Sequence, residues 1–94
     1  MNKFIAKAML ANNKIGCDTV QLDPRGMDEA IVGTRKKGKK THLVYSYRRL
    51  VEYFRKDMPE EDAVEWIEYN TVRALPYMCG PKLVEPIIRR ERGW

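Results

Sequence analysis

Apolar positions in the first dozen residues fall on one side of a helix: Phe4, Ile5, Ala8 and Met9 share a face, with Lys3 and Lys7 opposite. This predicts a short first helix ending near Asn12 and Asn13. From Cys17 to Leu22 the pattern loosens into an alternation, a brief strand closed by Asp23-Pro24-Arg25-Gly26. Proline fixes φ and glycine accepts φ > 0, so that tetrapeptide is turn chemistry. Two β-rich runs follow, AIVGTR and THLVYS, on either side of the loop KKGKK. Ile31 and Val32 on one arm and Leu43, Val44 and Tyr45 on the other read as a hairpin over about residues 30–45.

Ser46 is placed to cap a helix, and Tyr47, Leu50, Val51 and Phe54 then recur at three-four spacing, with Arg48, Arg49, Glu52, Arg55 and Lys56 on the other face. Asp57-Met58-Pro59-Glu60-Glu61-Asp62 opens a further helix. Proline suits its first position, and carboxylates suit the positive end of the helix dipole. Its inward stripe is Ala63, Val64, Ile67, Thr71, Ala74 and Leu75, with Trp66 and Asn70 on the flank and Pro76 as the stop. Pro81 to Ile88 reads as extended, with Val84, Ile87 and Ile88 packing, and residues 89–94, RRERGW, as a basic tail prone to disorder. The expected architecture is a single α+β domain, a small antiparallel sheet packed by two to three helices, because two strands alone are marginal.

Composition narrows the class. With 44% apolar and 33% charged residues among 94, the chain is too apolar for disorder and too charged for a membrane protein. No run approaches the roughly 18 apolar residues of a spanning helix, and Lys7 and two asparagines interrupt any signal-peptide core, so the expected location is the cytoplasm of a host cell. Cys17 and Cys79 offer neither a metal set nor a disulfide framework, and reduced thiols are expected; a single bridge depends on their separation. Charge is segregated. Arg35 to Lys56 holds nine basic residues against Glu52 alone, whereas Asp57 to Val72 holds six acidic residues and no basic one. Two electrostatic regions of opposite sign follow, one attracting polyanions and one repelling them.

The stretch EYNTVRALPYMCGP, residues 68–81, departs from a simple helix pattern. Asn70 and Thr71 are poor helix formers because their side chains compete for backbone hydrogen bonds. The reading taken is a semi-buried Asn70 that ties down the loop from Pro76 to Pro81; the alternative is an Asn70 that contacts a ligand. EDAVEWIEYNTVRALPYM, together with HLVYSYRRLVEYF and the later PII, resembles a family of small phage- and prophage-associated proteins for which no activity is established. The resemblance runs from about Cys17 to Ile88, and its most specific part is Glu-Tyr-Asn-Thr-x-Arg-Ala-Leu-Pro-Tyr. Members tend to carry aspartate where this chain has Ser46 and threonine or serine where it has Pro59, both exchanges suited to a helix start. The KKGKK loop and the RRERGW tail look like additions to the family pattern. The resemblance implies a phage setting and a protein that binds or inhibits host machinery.

Candidate chemistry is thin for an enzyme. His42 is the sole histidine and lies in a predicted strand, where a cross-strand or surface role outweighs that of a general base. Cys79 could pair with it as a nucleophile, but a cysteine near a turn is more often a packing residue. Asp18, Asp23, Asp28 and Glu29 lack the spacing of a calcium loop, and turn formation explains them. No catalytic residue, cofactor or metal is expected. The basic set has more weight: Lys36, Lys37, Lys39 and Lys40 at the hairpin tip, extended by Arg48, Arg49 and Arg55, suits salt-sensitive contact with the backbone of a nucleic acid or nucleoprotein, although such loops also serve solubility. Trp66 is expected in the core. Tyr53, Tyr69 and Tyr77 are candidates for a partner-binding surface, since exposed aromatics supply much interface energy. That surface and the acidic helix give the second reading, an anti-CRISPR-like inhibitor of host defence, or an oligomeric module such as a homodimer.

Overall fold

Helix α1 (Lys3–Asn13) begins where the Asn2 side chain accepts from the Phe4 N–H at 2.7 Å, and it buries Ile5, Ala8 and Asn12. A computed structural model describes residues 2–22 and 25–91 of the chain. The helix leaves through a Schellman turn: the Cys17 N–H bonds the Asn12 carbonyl and the Gly16 N–H that of Asn13, with Gly16 at φ +72°. That left-handed conformation favours glycine. Strand β1 (Asp18–Thr19) follows, then a 3₁₀ helix (Arg25–Ala30) leads into the hairpin.

The hairpin is β2 (Ile31–Lys37) and β3 (Lys40–Ser46), antiparallel, with a bulge between Ile31 and Gly33. Its two-residue loop places Gly38 first at φ +61°, which fits a type II′ turn. Every residue from Thr41 to Ser46 is buried. Alternation explains how: Thr41, Leu43 and Tyr45 face the main core, while Lys40, His42 and Val44 face the other way and are covered by the chain around residues 80–87.

Helix α2 (Tyr47–Phe54) starts at Ser46, whose Oγ accepts from the Arg49 N–H, and buries Tyr47, Leu50, Val51 and Phe54 as its periodicity requires. Helix α3 (Glu60–Ile67) follows with three carboxylates in its first turn and buries Ala63 and Ile67. Pro59 occupies its cap rather than its first turn. The helix then widens into a π-turn (Glu68–Val72), marked by the Arg73 N–H reaching back five residues to Glu68. It has ended before Pro76, which instead sits in the first turn of a short 3₁₀ helix (Leu75–Met78), where a missing N–H costs nothing.

Two short strands complete the fold. Strand β4 (Leu83–Val84) pairs in parallel with β1, and β5 (Ile87–Arg89) pairs in parallel with β3, giving the order β2-β3-β5. The protein is therefore α+β, a small sheet packed with helices, and the sheet is mixed because the C-terminal segment returns to the free edge of β3. One core joins Ile5, Ala8 and Leu22 to Leu43, Tyr45, Leu50, Phe54 and Ile67. The expected disorder of the 89–94 tail does not hold over its described part. Arg89 lies in β5, Arg90 stacks over Tyr47 and pairs with Glu68, and Glu91 binds the start of α2; Arg92 to Trp94 lie outside the described residues. Among the described residues no helix is long and apolar enough to cross a membrane.

Candidate nucleic-acid interface

The hairpin tip is built by its turn. Strand alternation sends Arg35 and Lys37 to one face and Lys36 to the other, and the two-residue loop places Lys39 between them. All four are exposed, and none is in an ion pair among the described residues. Lys40 belongs elsewhere. Its ammonium is half-buried and donates to the Gly80 carbonyl at 3.1 Å and the Leu83 carbonyl at 2.9 Å. The expected phosphate contact is thus a structural peg, because Lys40 lies on the strand face that the C-terminal segment covers. Arg35, next to the lysine run, joins the exposed set in its place.

The basic face of α2 is largely answered from within. Arg48 pairs with Glu52 at 3.4 Å, Lys56 pairs with Glu29 at 3.1 Å, and the Arg49 guanidinium donates to the Glu29 carbonyl at 3.4 Å. Glu29, Arg49, Glu52 and Lys56 line one groove of mixed charge. Arg49 and Arg55 are both exposed with no ion pair among the described residues, but Arg49 is engaged by the Glu29 carbonyl. The structure brings Arg48, Arg49 and Arg55 onto α2 and its C-cap, and leaves Arg48 and Arg49 less free than the hairpin tip.

At the other end of α2 the chain supplies its own anion. The Ser46 hydroxyl donates to Glu91 Oε1, the Arg48 N–H donates to Oε2 at 3.0 Å, and Arg89 lies 3.8 Å away. Burial alone would raise the Glu91 pKa; the Ser46 and Arg48 hydrogen bonds outweigh it and hold the carboxyl below its ordinary range. Beside it, Glu68 accepts from the Tyr47 hydroxyl at 2.9 Å and from Arg90 at 2.6 Å. The Arg90 hydrogen bond lowers the Glu68 pKa against the opposing effect of burial, and burial with the Glu68 contact raises that of Tyr47. Sequence reasoning missed this pair of latches, for which a charged Arg-Arg-Glu run is the only local sign.

The remaining candidates sort by exposure. Tyr77 is 89% exposed and Tyr69 57%, whereas Tyr53 is half-buried, set edge-on to Phe54 at 5.1 Å. Tyr53 is therefore a packing residue rather than a free anchor. Trp66 leans on Phe54 at 4.5 Å and joins the edge of the core. Asn70 is exposed, and its amide donates to the Trp66 carbonyl four residues back at 3.1 Å. The expected tie to the following loop is absent, because the π-turn points Asn70 outward. The buried asparagine is instead Asn12.

His42 is buried, its Nδ1 2.7 Å from the Glu85 carbonyl, which places it under the C-terminal segment rather than on the surface. Cys17 is buried and Cys79 exposed, both free, so no bridge joins them. Cys79 Sγ lies 3.5 Å from the Leu75 carbonyl. Asp18 and Glu29 are exposed and Asp28 half-buried; Asp23 lies outside the described residues. No group of three or more His, Cys, Asp or Glu side chains is placed to hold a metal among the described residues. No protein-family model, curated protein or solved structure matches the chain.

Proposed function

We propose that the protein is a non-catalytic nucleic-acid-binding module of a phage or mobile element, which contacts the phosphate backbone of a nucleic acid or nucleoprotein through its hairpin tip. The observation that carries this reading is the set Arg35, Lys36, Lys37 and Lys39, exposed around a tight turn and in no ion pair among the described residues. Elsewhere the exposed cations of α2 largely find carboxylate or carbonyl partners. Four cations over two residues of loop and the strand ends beside it form a compact point of contact. It suits phosphates read as charge, since lysine ammonium groups act as point charges with little geometric selectivity. Base-specific reading is not part of the proposal.

The test is fluorescence anisotropy of labelled single- and double-stranded DNA and RNA across a salt series, with a Lys36→Glu, Lys37→Glu, Lys39→Glu variant beside the parent. Lys40 stays intact, because reversing it would break the Gly80 and Leu83 bonds and confuse folding with binding. Expected is an affinity that falls steeply with salt, with a slope of roughly −3 to −4 in log-log form on duplex DNA, and disappears in the variant. Absence of binding to all four probes at low salt would overturn the reading.

A further inference from the structure

We propose that α3 carries a second binding site, a groove that receives an arginine side chain from a basic peptide segment of a protein partner. Asp62, Glu65, Trp66, Tyr69 and Asn70 recur at three-four spacing, so α3 and the π-turn present them on one face. They line a groove of about 270 Å³. The indole of Trp66 is held from behind by Phe54, which fixes one wall. Tyr69, more than half exposed, supplies a second aromatic surface. The Asn70 amide N–H is engaged by the Trp66 carbonyl, which leaves its Oδ1 as an acceptor. Asp62 and Glu65 are exposed and in no ion pair among the described residues.

Aromatic walls beside two carboxylates and an amide oxygen match a guanidinium in particular. A guanidinium is planar, stacks on rings and presents five donors in a fork, whereas an ammonium offers charge without a face. The groove already shows this affinity on its rim: the Arg73 guanidinium lies 4.5 Å from the Tyr69 ring centroid. Arg73 opposes a second cation, but two carboxylates outweigh its single charge. Glu60 and Glu61, exposed on the same helix, deepen the negative field. A phosphate-bearing ligand is repelled there, so the groove and the hairpin tip select opposite partners. The proposal does not rest on the hairpin's role.

The test uses the full chain, isotopically labelled, titrated with a blocked Gly-Arg-Gly-Arg-Gly peptide and with its citrulline counterpart, which keeps the shape and removes the charge. Expected are saturable shifts of the Trp66 indole and the amides of residues 62–70, with the citrulline peptide weaker by about tenfold or more. Asp62→Asn with Glu65→Gln should lose a similar factor, and Tyr69→Ala, on an exposed ring, should weaken binding while amide dispersion reports an intact fold. The Lys36→Glu, Lys37→Glu, Lys39→Glu variant should bind the arginine peptide as the parent does. Equal binding of the citrulline peptide, shifts outside this face, or no shifts would overturn the proposal. So would salt-sensitive self-association that the hairpin variant abolishes, since the occupant would then be the lysine hairpin of a second copy.

Discussion

At Asn12 the side-chain amide donates to Thr19 Oγ1 and to the Thr41 carbonyl and accepts from the Thr41 N–H, each at 2.8 Å. The residue is fully buried, so it serves Thr41 as a neighbouring strand would, beyond the point where β5 stops. Asn12→Leu leaves both backbone groups of Thr41 without this partner and should lower stability by about 1–3 kcal/mol in urea unfolding. Asn70→Ala should change it by no more than about 0.5 kcal/mol, because the side chain is exposed and makes one local bond. Equal effects from the two would show that the Asn12 network contributes little. Sequence pattern points to the wrong asparagine for a physical reason. Asn70 breaks a helical run and so attracts notice, whereas an asparagine ending a helix is ordinary, and the partner that makes Asn12 structural lies 29 residues away. Tyr69, by contrast, was legible as exposed because helical spacing puts it off the apolar stripe, whereas the same argument fails for Tyr53, whose ring packs edge-on against Phe54.

The elements divide along the same line. Helices α1, α2 and α3 and the β2–β3 hairpin are read from local periodicity, and Ser46 caps α2 as its chemistry suggests. Strands β4 and β5, two and three residues long, carry too little periodicity to announce parallel partners as distant along the chain as β1 and β3. What secures them is charged. Lys40→Met removes the ammonium bonds to Gly80 and Leu83 and should cost about 1–2 kcal/mol, at the lower end for charged hydrogen bonds because the group is half-buried. Lys36→Met should stay within about 0.5 kcal/mol, and amide exchange at Leu83 and Val84 should quicken only in the Lys40 variant. Glu68 and Glu91 add a pH signature. Their folded pKa values are depressed, so the unfolded chain binds more protons as the carboxyls titrate. Their stabilisation is complete above the ordinary glutamate range near about 4.3 and is lost as pH falls through the lowered folded values. Glu68→Gln with Glu91→Gln should flatten the acid limb of thermal unfolding below about pH 5; an acid limb as steep as the parent's would remove the latch from the account.

For the molecule as a whole, a formal charge of +5 is too blunt to say where a polyanion binds. The segregation of charge was legible in the sequence, but its internal neutralisation was not, since Glu29 reaches Lys56 across 27 residues and Lys40 turns inward only when β4 covers it. Two variants of equal net charge separate field from site. Lys36→Glu with Lys37→Glu and Arg48→Glu with Arg55→Glu each take the chain from +5 to +1, because every exchange removes two charges. If the tip makes the phosphate contacts, the first variant should lose more than about tenfold in duplex affinity, and its log-log salt slope should shrink by about 1.8 as two contacts vanish. The second should lose less than about threefold, since Arg48 was already balanced by Glu52 and long-range attraction from α2 is screened within a Debye length of about 8 Å at physiological salt. Equal losses in the two variants would mean that the summed field, and not the hairpin, holds the nucleic acid. The comparison is therefore more informative than neutralising the tip alone, which lowers net charge and removes the site in the same step.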